Sequence, residues 1–288
     1  MNSKFLCAVA ALVCGFASEA AFADGTAPAP TPEFTVTGDG AIVSQYRFRG
    51  LASSDNLPAV QASFTVTDKS GFYLSFWGSS GSGDKGDLVT GGTTGNFYIS
   101  PKDGTEIDIY GGYSHTLAKS GITLDGGLYG YIYPNRVANN LFEVYGDLSK
   151  TYGPVSVKVG LNWAPAQHYF TLLGPNVTHY SMYEYGNISY TPAKVPALTF
   201  HAELGHTGGG LDYVKEYIDY TVGVGYKWKA LTFDISLVGT NISRGDAANY
   251  IAATGGCTGQ SAVYCGNATN SVYRVGKFVP VGSITAAF

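Results

Sequence analysis

Over residues 155–163 apolar and polar side chains alternate one for one. Val155, Val157, Val159, Leu161 and Trp163 are interleaved with Ser156, Lys158, Gly160 and Asn162. Successive side chains of an extended chain point to opposite faces, so this pattern predicts a strand with one apolar and one polar face. The same period runs through 218–226, 231–237, 198–204 and 122–132, and more loosely through 60–66, 107–113 and 142–148. Residues 36–49, 71–78, 180–191 and 272–288 complete a set of twelve predicted strands.

A soluble sandwich would alternate in the same way, but its connections would not sort by order along the chain. Here they do. The even-numbered connections are short: 68–71, 118–121, 152–154, 192–197 and 227–230. The odd-numbered ones are mostly longer: 50–57, 79–105, 134–138, 165–179, 207–216 and 242–271. Short turns at one end and long loops at the other predict an all-β fold, a transmembrane antiparallel up-and-down β-barrel of about 12 strands. An even strand count brings both termini to the short-turn, periplasmic side. In the last segment Phe278, Pro280, Gly282, Ile284, Ala286 and Phe288 share one parity. A terminal aromatic such as Phe288 is what bacterial outer-membrane proteins commonly present to their assembly machinery.

Composition agrees with a wall between lipid and water. Charged residues are 13% of the chain, against about 25% in soluble domains. Glycine contributes 39 of 288 residues and tyrosine 22. Tyr133, Tyr152, Tyr190 and Tyr226, near strand ends, are candidates for interfacial girdles. Outside the N-terminus no apolar run approaches the roughly 18 residues of a spanning helix. The formal net charge of −4 carries no basic footprint for nucleic acid.

Residues 1–23 read as a secretory signal peptide. Lys4 is the basic start, 5–17 the apolar core, and Ala21-Phe22-Ala23 the small-residue cleavage pattern. Cleavage after Ala23 leaves a proline-rich flexible leader at 24–33, then the barrel at 34–288, placed in the cell outer membrane. Cys7 and Cys14 leave with the signal. Cys257 and Cys265 remain, most simply as one disulfide in an exported chain. A metal site would need more ligands, and no histidine follows His206. No cofactor is expected.

If the apolar parity faces the bilayer, the lumen receives Gln45, Arg47, Arg49, Glu106, Asp108, Asp125, Glu143, Asp147, Lys158, Glu203, Asp219, Lys227 and Asp234. His201 joins them. Eight acids then stand against four bases. Charge on the lipid face costs about 2–4 kcal/mol for Arg or Lys at mid-bilayer, so a shared parity is informative. Such pairs could plug a narrow barrel, or line a channel whose acid excess gives ions or small hydrophilic solutes a mild cation preference. Arg47 and Arg49 are expected to face the acidic wall across a constriction.

Two other chemistries have partial patterns in the chain. Gly81-x-Gly83-x-x-Gly86 has the letters of a dinucleotide fingerprint, but no helix follows, so it reads as a flexible loop. His179-Tyr180-Ser181 has the spacing of a base and nucleophile on one strand face, the pattern of a lipid-hydrolysing barrel. Asn187 lies on the same strand, which is a poor place for the orienting group. A non-conducting structural or adhesive barrel acting through 79–105 and 242–271 is a third possibility.

One stretch also resembles a known family. Tyr46, Phe48, Arg49, Gly50, Ser53, Pro58, Ala59 and Gln61, then Ser70, Gly71, Phe72, Tyr73, Trp77, Gly78 and Ser79, are similar to the first hairpin of the TorF-family putative porins. Residues 106–110, Glu-Ile-Asp-Ile-Tyr, resemble that family's next strand. The resemblance implies a Gram-negative outer-membrane barrel with a suspected pore, and no established substrate or catalytic residue. It is dense over about forty residues and loose elsewhere.

Overall fold

The structure, a computed structural model, describes residues 33–81, 88–91, 96–99, 104–134, 140–172 and 178–288. The expected signal peptide at 1–23, all but Glu33 of the leader, and most of the Gly81–Gly86 motif lie outside the described residues.

The elements are β1 (Phe34–Val43), β2 (Arg47–Phe48), β3 (Leu51–Ala52), β4 (Ala59–Asp68), β5 (Phe72–Ser79), β6 (Leu88–Gly91), β7 (Asn96–Ile99), β8 (Glu106–Leu117), β9 (Ile122–Ile132), β10 (Leu141–Tyr152), β11 (Val155–Ala164), α1 (His168–Leu172), β12 (Ser181–Tyr190), β13 (Leu198–Gly209), β14 (Tyr217–Trp228), β15 (Leu231–Thr240), α2 (Arg244–Ala253), α3 (Ala262–Gly276) and β16 (Val279–Ala287). Twelve of these strands form a closed barrel in which each is hydrogen-bonded antiparallel to its neighbours, β1 pairing with both β4 and β16. Closure removes every sheet edge, which a strand exposed to lipid requires, because hydrocarbon offers no partner to an unpaired backbone group.

All twelve predicted strands are present. Their outward parity is apolar and exposed: Val36 63%, Leu128 66%, Val222 60% and Ile235 66%. Aromatic side chains gather toward the rims of that face. Phe72 packs on Tyr113 with ring centroids 4.9 Å apart near the short-turn end, and Tyr220 on Phe278 at 5.7 Å near the other. Tyr152, Tyr190 and Tyr226 are exposed there as well. Tyr133 is not a girdle residue. It packs inward against the cluster of Tyr129, Tyr131 and Phe170.

Short turns are built by local hydrogen bonds. Between β4 and β5 the Ser70 amide donates to Asp68 Oδ1 at 2.8 Å, and the Gly71 amide to the Asp68 carbonyl at 3.0 Å. Gly71 has φ of +110°, which disfavours any residue with a β-carbon. The seam between first and last strands is closed by the final residue. The Phe288 amide donates to the Gly38 carbonyl at 2.9 Å, and the Gly38 amide donates back at 3.0 Å.

Two predicted segments end differently. The strand expected at 36–49 stops at Val43, and the chain from Ser44 to Pro58 turns into the barrel. Arg49, Gly50, Asp55 and Asn56 all have positive φ, which a strand cannot continue through. The strand expected at 272–288 begins at Val279, because α3 runs on to Gly276. The stretch 242–271 is thus largely a helical cap. Ser243 caps α2 in a capping box with Asp246, and Cys257 and Cys265 are joined as a disulfide with Cα atoms 5.5 Å apart. Ala247, Ile251 and Val272 form the seam between α2 and α3.

Candidate functional site

Because side chains alternate along each strand, the polar parity of twelve strands converges on one enclosed space. Its upper part, nearest the long loops, is organised by the inturned segment. Positive φ at Arg49 (48°) and Gly50 (76°) makes a sharp bend that points the Arg49 side chain across the barrel. A β-carbon at Gly50 would lie 2.7 Å from Cβ of Asp219, so no other residue fits this bend. Arg49 Nη2 donates to both oxygens of Glu143, at 2.8 and 2.7 Å. Tyr131 Oη and Asn162 Nδ2 donate to the same carboxylate at 2.9 and 3.0 Å. The guanidinium also lies against two rings, its Cζ 4.7 Å from the Phe48 centroid and 4.3 Å from that of Tyr183. A desolvated ion pair needs protein groups to replace its lost hydration, and here they serve the carboxylate fully while Arg49 Nη1 is buried without a hydrogen-bond partner.

Arg47 acts otherwise. It does not face the acidic wall. Its donors go to Gln45 Oε1 at 2.9 and 2.8 Å, to Asn56 Oδ1 at 2.6 Å, and to the carbonyls of Gly50 and Val275 at 3.0 and 2.9 Å. Gln45 in turn donates to the Pro280 carbonyl at 3.2 Å. These two residues tie the inturned segment to the end of α3 and the start of β16. Gln45, Arg47 and Arg49 therefore enter the barrel from the inturned segment and not from a strand of the barrel wall.

The wall residues divide into three groups. Glu106 and Asp108, each 2% exposed, sit two apart on β8, where Tyr46 Oη donates to Glu106 at 3.2 Å and Tyr129 Oη to Asp108 at 2.8 Å. Toward the short-turn end, Lys158 Nζ pairs with Asp147 at 3.1 Å, and Tyr73 Oη donates to Asp125 at 2.7 Å. On the opposite wall Tyr183 Oη donates at 3.3 Å to both Glu203 and Asp219, while His201 Nε2 lies 2.7 Å from Asp234. Lys227 is half-buried one residue from the end of β14, opposite Thr232.

Between the inturned segment and the wall of β13 to β16 lies a cavity of about 240 Å³, reached by Asp108, Tyr129, Tyr131, Tyr183, Tyr185 and Glu203. A second space of about 20 Å³, room for one water, lies among Tyr73, Asp125, Tyr145 and Asp147. The tyrosines were not singled out from the sequence as lumen residues. Parity reveals them: Tyr129 and Tyr131 follow Asp125 in steps of two, and Tyr145 follows Glu143.

The His-x-Ser pair is not assembled for hydrolysis. Ser181 is 1% exposed and its hydroxyl donates to the Gly208 carbonyl at 2.7 Å, while His179 is exposed ahead of the strand. Among the described residues no group of three or more His, Cys, Asp or Glu side chains could hold a metal ion.

A comparison with curated proteins finds no match. Among solved structures, the chain is similar to one described as the KdgM porin, with 12% identity, a TM-score of 0.50, and coverage of 88% of this chain and 99% of that one. It is also similar to the NanC porin at 12% identity and a TM-score of 0.48, covering 88% and 98%. An outer membrane channel from Pseudomonas putida F1 follows at 11% identity and 0.47, covering 91% and 100%. At such identities what the KdgM porin shares with this chain is the fold. The family model described as "Bacterial protein of unknown function (Gcw_chp)" matches residues 27–269, so the chain belongs to the Gcw_chp family.

Proposed function

We propose that this protein is an outer-membrane channel for passive diffusion of ions or small hydrophilic solutes, with a mild preference for cations. The observation that carries the reading is an interior cavity of about 240 Å³ lined by Asp108, Glu203 and Asp234 together with Arg47 and Arg49, inside a barrel whose outer face is apolar. Acidic side chains lining a pore favour cations. In this reading the constriction lies at the level of Arg49 and Glu143, where the inturned segment reaches the wall and the paired charges set a transverse field. The first-hairpin resemblance to TorF-family porins supports the same reading. Export by a signal ending at Ala23, and recognition of Phe288 by the assembly machinery, belong to it.

Purified protein in planar bilayers is expected to give discrete conductance steps, with a reversal potential in a KCl gradient displaced toward that of potassium. No steps would remove the channel reading, and a shift toward chloride would remove the cation preference. A second reading is favoured by the cap: α2 and α3 form a disulfide-bonded helical surface over one end of the barrel. A non-conducting barrel that binds a partner through this cap would show no steps, and would lose partner binding when 244–276 is removed.

A further inference from the structure

The lumen bases Arg49, Lys158 and Arg47 already hold partners of their own. Arg49 is matched by Glu143, Lys158 by Asp147, and Arg47 by amide and carbonyl oxygens. The carboxylates are less completely matched. Asp108 takes the Tyr129 hydroxyl through Oδ2, while its Oδ1 is buried with no donor. Glu203, on the opposite wall of the same cavity, takes a neutral hydroxyl from Tyr183 at 3.3 Å. A neutral donor shares a carboxylate's charge without cancelling it, so both positions retain demand for a cation.

Aromatic rings flank both. Tyr129 and Tyr131 have centroids 4.5 Å apart, and Tyr183 and Tyr185 5.5 Å apart, and all four reach the cavity. A carboxylate beside ring faces suits an organic cation, whose charged head the carboxylate and rings attract and whose carbon stem the rings cover. The lumen already contains one such arrangement of its own. The Arg49 guanidinium lies between Phe48 and Tyr183 with Glu143 as counter-ion.

We propose that the cavity binds small organic cations, specifically primary alkylammonium compounds with one or two charged ends, through Asp108 and Glu203 among the tyrosines that line it. As a selectivity element this rests on the channel reading. As a binding site it stands alone. Trp77, 7% exposed, lines the same cavity and provides an intrinsic reporter.

The test titrates detergent-solubilised protein with 1,5-diaminopentane, following tryptophan fluorescence and heat of binding. Glutarate and 1,5-pentanediol serve as the anionic and neutral compounds of matched length. Saturable binding of the diamine is expected, weakened at least tenfold in Asp108→Asn and in Glu203→Gln and retained in Asp108→Glu. Compact migration of unheated samples in SDS gels shows which variants are folded. In bilayers the diamine should block potassium current with the same concentration dependence. No diamine binding by the wild type, equal binding of glutarate or pentanediol, or full binding by folded variants that lack both charges overturns the proposal and leaves any conductance untouched. Diamine binding without conductance overturns the channel reading and leaves the site standing.

Discussion

A β-carbon added at Gly160 would lie 2.8 Å from Cε1 of Tyr185, and one at Gly205 would lie 2.6 Å from Cε2 of Tyr183. Gly112 and Gly127 stand in the same relation to the Tyr145 hydroxyl, at 2.7 Å. The glycine and tyrosine excesses of the composition are thus partly one feature, since rings from one strand lie over bare backbone on the next. Gly160→Ala is expected to destabilise by about 1–3 kcal/mol through overpacking, whereas Gly40→Ala, with nothing within 4 Å of the added carbon, should be near neutral. The temperature at which the folded gel band disappears measures both. A larger cost is expected at Glu143. Glu143→Gln leaves the Arg49 cation buried without its counter-charge, an effect of about 3–5 kcal/mol, and replacing both by Met and Leu should recover much of it. Equal losses in the single and double variants would contradict this account. The inward parity of the acids on the strands was legible because charge on a lipid-facing parity is so costly. The tyrosines were not, because a tyrosine suits a lumen and a lipid interface alike, and only strand parity separates Tyr129 from Tyr226.

Among elements, the strands were legible and the segments that constrict the barrel were not. Period two fixes which face of β11 or β14 is apolar wherever a strand is long, but it says nothing of a loop that doubles back. Residues 44–58 continue the polar pattern of β1 into a bend set by left-handed residues, and a strand and an inturned loop read alike there. The cap was hidden for a related reason, because α2 is short and nearly without an apolar face of its own. What joins the two is a small set of polar contacts: Arg47 to the carbonyl of Val275, and Arg274 to Asp55. Leu51 and Ala52 pack beside Val275 in one buried cluster. Arg47→Ala should therefore free the inturned segment without disturbing the wall. The expected result is higher open-channel noise and a larger conductance, and unchanged noise would show that the segment is held by its apolar contacts alone. The cap has a pH dependence of its own. Contacts with Lys215, and with the Ser243 amide and hydroxyl, hold the Asp246 carboxyl down at about 2. A carboxylate depressed in the folded state stabilises above its ordinary value of about 4 and loses that contribution as pH falls toward 2. Amide protection at the start of α2 should decline across that window, and Asp246→Asn should remove the dependence.

At the scale of the whole molecule, the sorting of connections by length fixes a direction. The turns at 118–121 and 229–230 lie at the same end as Phe34 and Phe288, because twelve strands return the chain to where it started. The inturned segment and the cap lie at the other. Short turns need only clear a thin rim, whereas the opposite end carries the inturned segment and the helical cap. In an outer membrane that end faces the medium. Single cysteines test this direction without reference to conduction. A cysteine at Thr258, exposed in the cap, should react with a membrane-impermeant maleimide on intact cells. One at Lys119 or Lys229, in the short turns, should react only after the outer membrane is permeabilised. Cys257 and Cys265 are joined to each other and so leave the wild-type background unlabelled. The reverse pattern would invert the barrel and place the Arg49 constriction on the periplasmic side. Labelling at both ends of intact cells would instead mean that the chain does not span the membrane at all.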